Sequence, residues 1–182
     1  MEAEQNPWKI TGEKNVYDNN WINVTHYDVI NPSGGKGIYG KVHFKNHAIA
    51  IVPLDEEGNT YLVGQYRFTV NEYSWELPEG GAPVNTNPLE SAKRELLEET
   101  GLIAGEWTEV MQMHLSNSVC DELAYVYLAR QLQQGIAEPE ETEQLQVKKL
   151  PFEEVYNMVM DGSIKDVLTI AAVLKVKLLL AK

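Results

Sequence analysis

One stretch, residues 75–102 (WELPEGGAPVNTNPLESAKRELLEETGL), constrains the fold more than any other part of the chain. It opens on a tight Gly-rich turn, Glu79-Gly80-Gly81, and runs into a short helix with clear start and stop signals. Asn87 fits the N-cap, Pro88 the first helical position and Glu90 the partner in a capping box, while Gly101 fits the left-handed residue that ends the last turn. At about 100° per residue, Glu95, Glu98 and Glu99 fall within an arc of roughly 100° on one side of this helix. Leu89, Ala92 and Leu96 form a separate apolar stripe, so the helix can dock on a core while its acids stay together. Like charges at i,i+3 and i,i+4 cost about 0.2–0.5 kcal/mol per pair unless something positive lies between them. The simplest such group is a divalent cation held by oxygen ligands.

Charge and cysteine usage narrow the partners. The 182 residues carry 27 acidic and 15 basic side chains, a net charge of −12. No basic cluster exceeds Lys148-Lys149, which argues against a nucleic-acid groove or an anionic membrane surface. An acidic protein can still act on phosphates when metal ions supply the positive charge. Cys120 is the only cysteine, which excludes an intrachain disulfide and a thiolate metal cage. The first residues, MEAEQNPWKI, have neither a basic nor an apolar leader region. The longest apolar run, near 170–181, is interrupted by Lys175 and Lys177 and is too short to span a bilayer. A soluble cytoplasmic protein is expected, with no nucleic-acid and no membrane partner.

Taken in order, residues 8–43 alternate apolar and polar positions between turn signals at Asp18-Asn19-Asn20 and Asn31-Pro32-Ser33-Gly34-Gly35, the pattern of β-hairpins. Gly35, Gly37 and Gly40 match G-x-G-x-x-G, but a dinucleotide site needs a helix to start there, and IYGKVHF alternates as a strand. Residues 48–53 (AIAIVP) read as a buried central strand, with 61–66 its partner across the turn at 55–59. Arg67 at the strand end is either a carboxylate-paired or surface arginine, or a planar fork for phosphate or ribose oxygens. Further strands are expected at 73–77, 107–114, 123–129 and 143–149, and helices at 151–160 and from an Asp166 cap to about Leu180. The polar connection at 115–122 is a functional loop or a plain link. Two domains are expected: 1–46, a β-hairpin subdomain, and 47–182.

The central stretch resembles the Nudix box. The family pattern is G-x5-E-x7-R-E-U-x-E-E-x-G-U, with U a bulky aliphatic residue. Here Gly80 is followed by Thr86 and then by Arg94-Glu95-Leu96-Leu97-Glu98-Glu99-Thr100-Gly101-Leu102 at the family spacing. Thr86 departs from the family's first glutamate, but it lies outside the R-E-x-x-E-E core. Gln65-Tyr66-Arg67 and Trp75-Glu76-Leu77-Pro78-Glu79-Gly80 are similar to the ADP-ribose and nucleoside diphosphate sugar pyrophosphatase branch. The resemblance runs from about Ala48 to the C-terminus, and the N-terminal hairpins also fit that branch. It implies an α+β Nudix fold, mixed β-sheets sandwiched between helices, with a small N-terminal antiparallel β subdomain. It also implies a domain-swapped homodimer. Where those relatives carry S-P-G, this chain has Ser116-Asn117-Ser118, which tilts the expected substrate from ADP-ribose towards other nucleoside diphosphate sugars such as GDP-mannose.

That resemblance also implies a reaction: hydrolysis of the pyrophosphate of a nucleoside diphosphate sugar to a nucleoside monophosphate and a sugar phosphate. Mg²⁺, with Mn²⁺ a substitute, would be the cofactor, at two to three ions per site. Glu95 and Glu99 would be direct ligands, Glu98 a ligand or an acid–base residue, and the Glu79 backbone carbonyl a further donor. Arg94 would orient the carboxylates. In the P-E-E-x-E segment beyond, Glu141 would be the general base, Glu140 its rival, and Glu143 an additional ligand. Arg67, Glu76 and Ser118 would contact substrate, and Tyr17 or Trp21 from the partner subunit would stack on the base. The rivals are a house-cleaning nucleoside triphosphatase, which needs no N-terminal hairpins, and a non-catalytic nucleotide-binding module, which would normally have lost one of the three glutamates.

Overall fold

The computed structural model describes residues 5–136 and 145–181, which form two compact units. The N-terminal unit, up to Asn46, is an antiparallel sheet of three strands in sequence order: β1 (Lys9–Asp18), β2 (Ile22–Ile30) and β3 (Lys36–Phe44). Asparagines close both hairpins by accepting hydrogen bonds from the backbone just ahead. Asn19 Oδ1 accepts from the Trp21 and Ile22 N–H groups (2.8 Å each), and Asn31 Oδ1 from Ser33 (3.0 Å) and Gly35 (2.9 Å). The G-x-G-x-x-G match runs into β3, a strand, as its alternation implies.

Ser116–Glu122 belongs to this N-terminal unit although it is distant in sequence. The Val42 N–H donates to the Val119 carbonyl (2.9 Å) and the Asp121 N–H to the Val42 carbonyl (3.2 Å). The Asp121 carboxylate also meets Lys41 Nζ (2.6 Å), His43 Nδ1 (2.8 Å) and the Phe44 N–H (3.1 Å). Tyr39 Oη donates to the Ser118 carbonyl (2.7 Å). The loop's conformation is therefore written by β3.

The second unit, His47–Leu115 with Leu123–Lys182, holds two sheets and three helices. A four-stranded sheet has the order β7-β4-β9-β8, from β7 (Glu79–Pro83), β4 (Asn46–Pro53), β9 (Leu123–Gln134) and β8 (Leu102–His114). A three-stranded antiparallel sheet has the order β10-β5-β6, from β10 (Gln146–Pro151), β5 (Asn59–Arg67) and β6 (Glu72–Glu76). The helices are α1 (Pro88–Thr100), α2 (Phe152–Met160) and α3 (Val167–Leu180). Among the described residues, no helix is long and apolar enough to cross a membrane.

Two expectations need correcting. Residues 61–66 do not partner 48–53, because β4 pairs in parallel with β9 on one edge and neighbours β7 on the other. With both edges of β4 occupied, β5 must enter the second sheet. The Gly-rich segment after Pro78 is also a strand, β7, and the turn follows it near Thr86. Its two glycines keep negative or extended φ, as a strand requires, and β7 lies at the edge of the sheet.

The alternation of β4 divides the core. Ile49 and Ile51, fully buried, pack with Ala82, Ala92, Leu96 and Tyr127 on the α1 side. Ala50 and Val52 face the other way, onto a cluster with Leu62, Phe152, Val155 and Val173 from β5, α2 and α3. A strand buried on both faces has to read as a continuous apolar run, as AIAIVP does. Burying Leu96 alone is worth about 2 kcal/mol, and it fixes which side of α1 faces away from the core.

In the N-terminal unit, the Asp121 carboxyl is pulled from its ordinary 3.8 down to about 2. Burial alone would raise it, but hydrogen bonds from Lys41, His43 and the Phe44 N–H outweigh that. A carboxylate with a depressed folded pKa adds stability that is complete above its unfolded pKa and lost as pH falls through the folded value. Asp121→Asn is expected to lower the urea midpoint at pH 7, with the gap from wild type closing between about pH 4 and pH 2 by circular dichroism. A gap independent of pH would contradict this role.

Candidate active site

The helix that carries the acids is built as its sequence signals direct. Asn87 Oδ1 accepts from the Leu89 N–H (3.1 Å), Pro88 occupies the first turn, and Gly101 ends the helix at φ 71° with its N–H on the Leu97 carbonyl (2.8 Å). One signal is not realised: the Glu90 carboxylate pairs with Lys93 (2.8 Å) instead of closing a capping box with Asn87, whose side chain is on the Leu89 N–H. Docking of Ala92 and Leu96 on β4 turns Glu95 and Glu99 to the start of β7, with Glu98 beside them on the same helix.

The three acids have distinct surroundings. Glu99 is buried, 4% exposed, and accepts from the Glu79 N–H (3.0 Å). The Glu95 carboxylate lies directly against Gly80, in space that a Cβ at that position would fill, which is the physical reason for a glycine there. Glu98 is the most exposed of the three and pairs with Arg94 Nη1 (2.6 Å). Arg94 Nη2 also meets Glu95 Oε1 (2.6 Å) and donates to the Gly81 carbonyl (3.1 Å). The positive charge between the acids is thus an arginine from their own helix. Burial still dominates at Glu95 and pushes its carboxyl up to about 6, although Arg94 opposes the shift.

Behind this surface lies a second group of charges. Arg67 Nε donates to both oxygens of Glu76 (3.1 and 2.9 Å) and its Nη2 bonds the same carboxylate. Glu76 is 3% exposed, its carboxylate held by Arg67, and Glu79 Oε2 lies 4.0 Å from the guanidinium. Burial pushes the Glu79 carboxyl well above the usual range, helped by the charges of Asp166 and Glu76 and opposed by Arg67. Thr169 Oγ1 accepts from the Leu77 N–H (2.9 Å) and donates to Glu79 Oε1 (3.2 Å). Asp166 caps α3 by accepting from the Thr169 N–H (2.7 Å). Nothing in the spacing distinguishes Thr169 from an ordinary first-turn threonine.

The donor set fits a hard divalent cation in chemistry: carboxylates on α1 and a backbone carbonyl at Glu79, all oxygen. A cation beside Glu95 would also relieve the cost of charging a buried carboxyl. Among the described residues, no three acid, histidine or cysteine side chains already converge as a metal cluster, since Arg94 and the Glu79 N–H engage the acids. Glu140, Glu141 and Glu143 lie outside the described residues. Tyr17 and Trp21 are exposed in the N-terminal unit, at 54% and 65%. Trp8, Tyr27 and Tyr39 line a cavity of about 390 Å³ in the same unit, with Ser118 at its wall.

The chain is similar to known proteins over most of its length. A NUDIX domain model matches residues 45–168, and a nucleoside diphosphate sugar hydrolase N-terminal domain model matches residues 8–42. An ADP-ribose pyrophosphatase of Mycobacterium tuberculosis is 35% identical over 153 residues, 82% of this chain and 73% of the relative. An ADP-ribose pyrophosphatase of Bacillus subtilis is 26% identical over 167 residues, 91% of this chain and 90% of the relative. A crystal structure of an ADP compounds hydrolase superposes with a TM-score of 0.87 at 20% identity, covering 99% of this chain and 97% of its own, a likeness of fold.

The contact between Gly80 and Glu95 generates a test. In Gly80→Ala the displaced atoms are the end of a flexible side chain, so the melting temperature should stay near wild type. Mn²⁺ affinity, by isothermal titration, should fall about 10- to 100-fold as the Glu95 carboxylate moves. Unchanged affinity would remove Glu95 from the cation site.

Proposed function

The chain belongs to the Nudix family, and we propose that it is a divalent-metal-dependent hydrolase of nucleoside diphosphate sugars, with ADP-ribose the foremost substrate. The observation that carries this reading is the meeting of Glu95 and Glu99 on α1 with the Glu79–Gly80 backbone, in a chain that also matches the N-terminal domain of nucleoside diphosphate sugar hydrolases. That second match disfavours a triphosphate-cleaning enzyme. The similarity to ADP-ribose pyrophosphatases over most of the chain outweighs the tilt towards GDP-mannose drawn from Asn117.

Hydrolysis breaks one P–O bond of the bridging oxygen: water oxygen attaches to phosphorus, its proton goes to a carboxylate base, and the other phosphate leaves. When bound, Mg²⁺ or Mn²⁺ would neutralise the pyrophosphate oxygens and lower the pKa of a water. Glu95, Glu98, Glu99 and the Glu79 carbonyl are the residues that would hold it, with Glu143 an additional ligand. Arg94 ties Glu95 to Glu98, and the Glu79 N–H keeps Glu99 turned towards β7. We assign the proton-accepting role to Glu141, with Glu140 and Glu98 its rivals. Arg67 and Glu76, locked on one another, would offer the substrate a guanidinium of fixed orientation, a pre-organisation that favours anion binding. A homodimer belongs to the same proposal. Large apolar side chains stand exposed at separate places on the N-terminal sheet, among them Ile10 (62%), Trp21 (65%) and Ile38 (71%), and a domain-swapped pairing, which covers more than one face, would bury them.

The test is a substrate panel with Mg²⁺, resolved by chromatography, on protein whose mass in solution has been read by light scattering. The expected results are a dimer of 20.6-kDa chains, AMP and ribose phosphate from ADP-ribose, and roughly hundredfold slower turnover in Glu98→Gln. Preferential cleavage of nucleoside triphosphates, or full turnover in Glu98→Gln, would contradict the reading.

A further inference from the structure

Leu77 and Pro78 lie where the chain leaves one sheet and enters another: β6 ends at Glu76 and β7 begins at Glu79. Backbone groups at such a joint lose their ladder partners and must be met some other way. Pro78 brings no N–H, and its carbonyl accepts from the Ile51 N–H of β4 (2.9 Å). The Leu77 N–H goes to Thr169 Oγ1 (2.9 Å), a side chain with no solvent exposure. A threonine inside a helix can turn its hydroxyl back on a carbonyl of the preceding turn, but Thr169 stands in the first turn of α3, which has none before it. Thr169 spends its hydroxyl outside the helix. Having accepted from Leu77, its proton is directed to Glu79 Oε1 (3.2 Å).

Glu79 is consequently gripped by two helices. Its N–H donates to Glu99 on α1 (3.0 Å), and its carboxyl receives Thr169 from α3, whose first turn is itself fixed by the Asp166 cap. We propose that Thr169 is a positioning residue for the acid site, holding the Leu77–Glu79 joint so that the Glu79 N–H stays on Glu99 and the Glu79 carbonyl keeps its place beside α1. The inference rests on the reading above that this carbonyl and Glu99 serve a cation. Thr169 touches no reacting atom in that scheme. It acts through Glu79.

Thr169→Val keeps the shape and removes the hydroxyl; Thr169→Ser keeps the hydroxyl and removes the methyl. Amide hydrogen exchange of the metal-free protein, followed by NMR, reads the Glu79 N–H directly. In Thr169→Val it should exchange at least about tenfold faster relative to the amides of β9, and in Thr169→Ser it should match wild type. Mn²⁺ affinity without substrate should weaken about tenfold in Thr169→Val and be restored in Thr169→Ser. A merely structural threonine would lower the melting temperature and leave the relative exchange of Glu79 unchanged, which overturns the proposal. Should Thr169→Val not fold, a Thr169→Ser protein with fast Glu79 exchange overturns it equally. Fast Glu79 exchange in Thr169→Val with undiminished Mn²⁺ affinity would uphold the positioning role and sink the metal reading on which it was placed.

Discussion

The hydrogen bond from the Glu79 N–H to the buried Glu99 carboxylate is the contact on which the site depends. A charge-assisted bond of this kind is worth about 1.5–3 kcal/mol, and leaving a carboxylate buried without it costs more. It joins the last turn of α1 to the first residue of β7. The apolar packing of Leu96 and Ala92 on β4 sets the distance, and this bond sets the register. Gly80 follows from the same approach, since the next residue along must leave room for Glu95.

An acid site in a chain of net charge −12 needs a local answer to its own repulsion. Without a cation, Arg94 gives it by bridging Glu95 and Glu98, while Glu99 leans on a backbone dipole. Arg94 is itself partly exposed. Arg67 solves a similar problem one layer behind, where Glu76 and Glu79 would otherwise face one another with Asp166 nearby and no counter-charge.

How much of this is legible in sequence follows from how local each cause is. Helix α1 is written in its own residues: the Asn87 cap, Pro88, the Gly101 stop, the apolar stripe and the clustered acids all lie within one short stretch. The buried strand at 48–53 shows itself by composition. The sheet that a strand joins depends on partners far away, so β5 reads as the partner of β4, whose edges β9 and β7 occupy. EGGAP reads as a turn because glycine and proline are poor strand formers. It is held as a strand by the neighbouring edge of β4. Thr169 and Asp121 each act through long-range hydrogen bonds that no spacing reveals, to Leu77 and Glu79 in one case and to β3 in the other.

A crystal grown in Mn²⁺ and measured at the manganese absorption edge locates the cation without reference to turnover. The expected result is an anomalous peak within about 2.0–2.6 Å of carboxylate oxygens of Glu95 and Glu99 and of the Glu79 carbonyl, beside Gly80. A saturated, active crystal whose manganese lies on other residues, with none on Glu95 or Glu99, would contradict the assignment of α1 as the metal-holding helix.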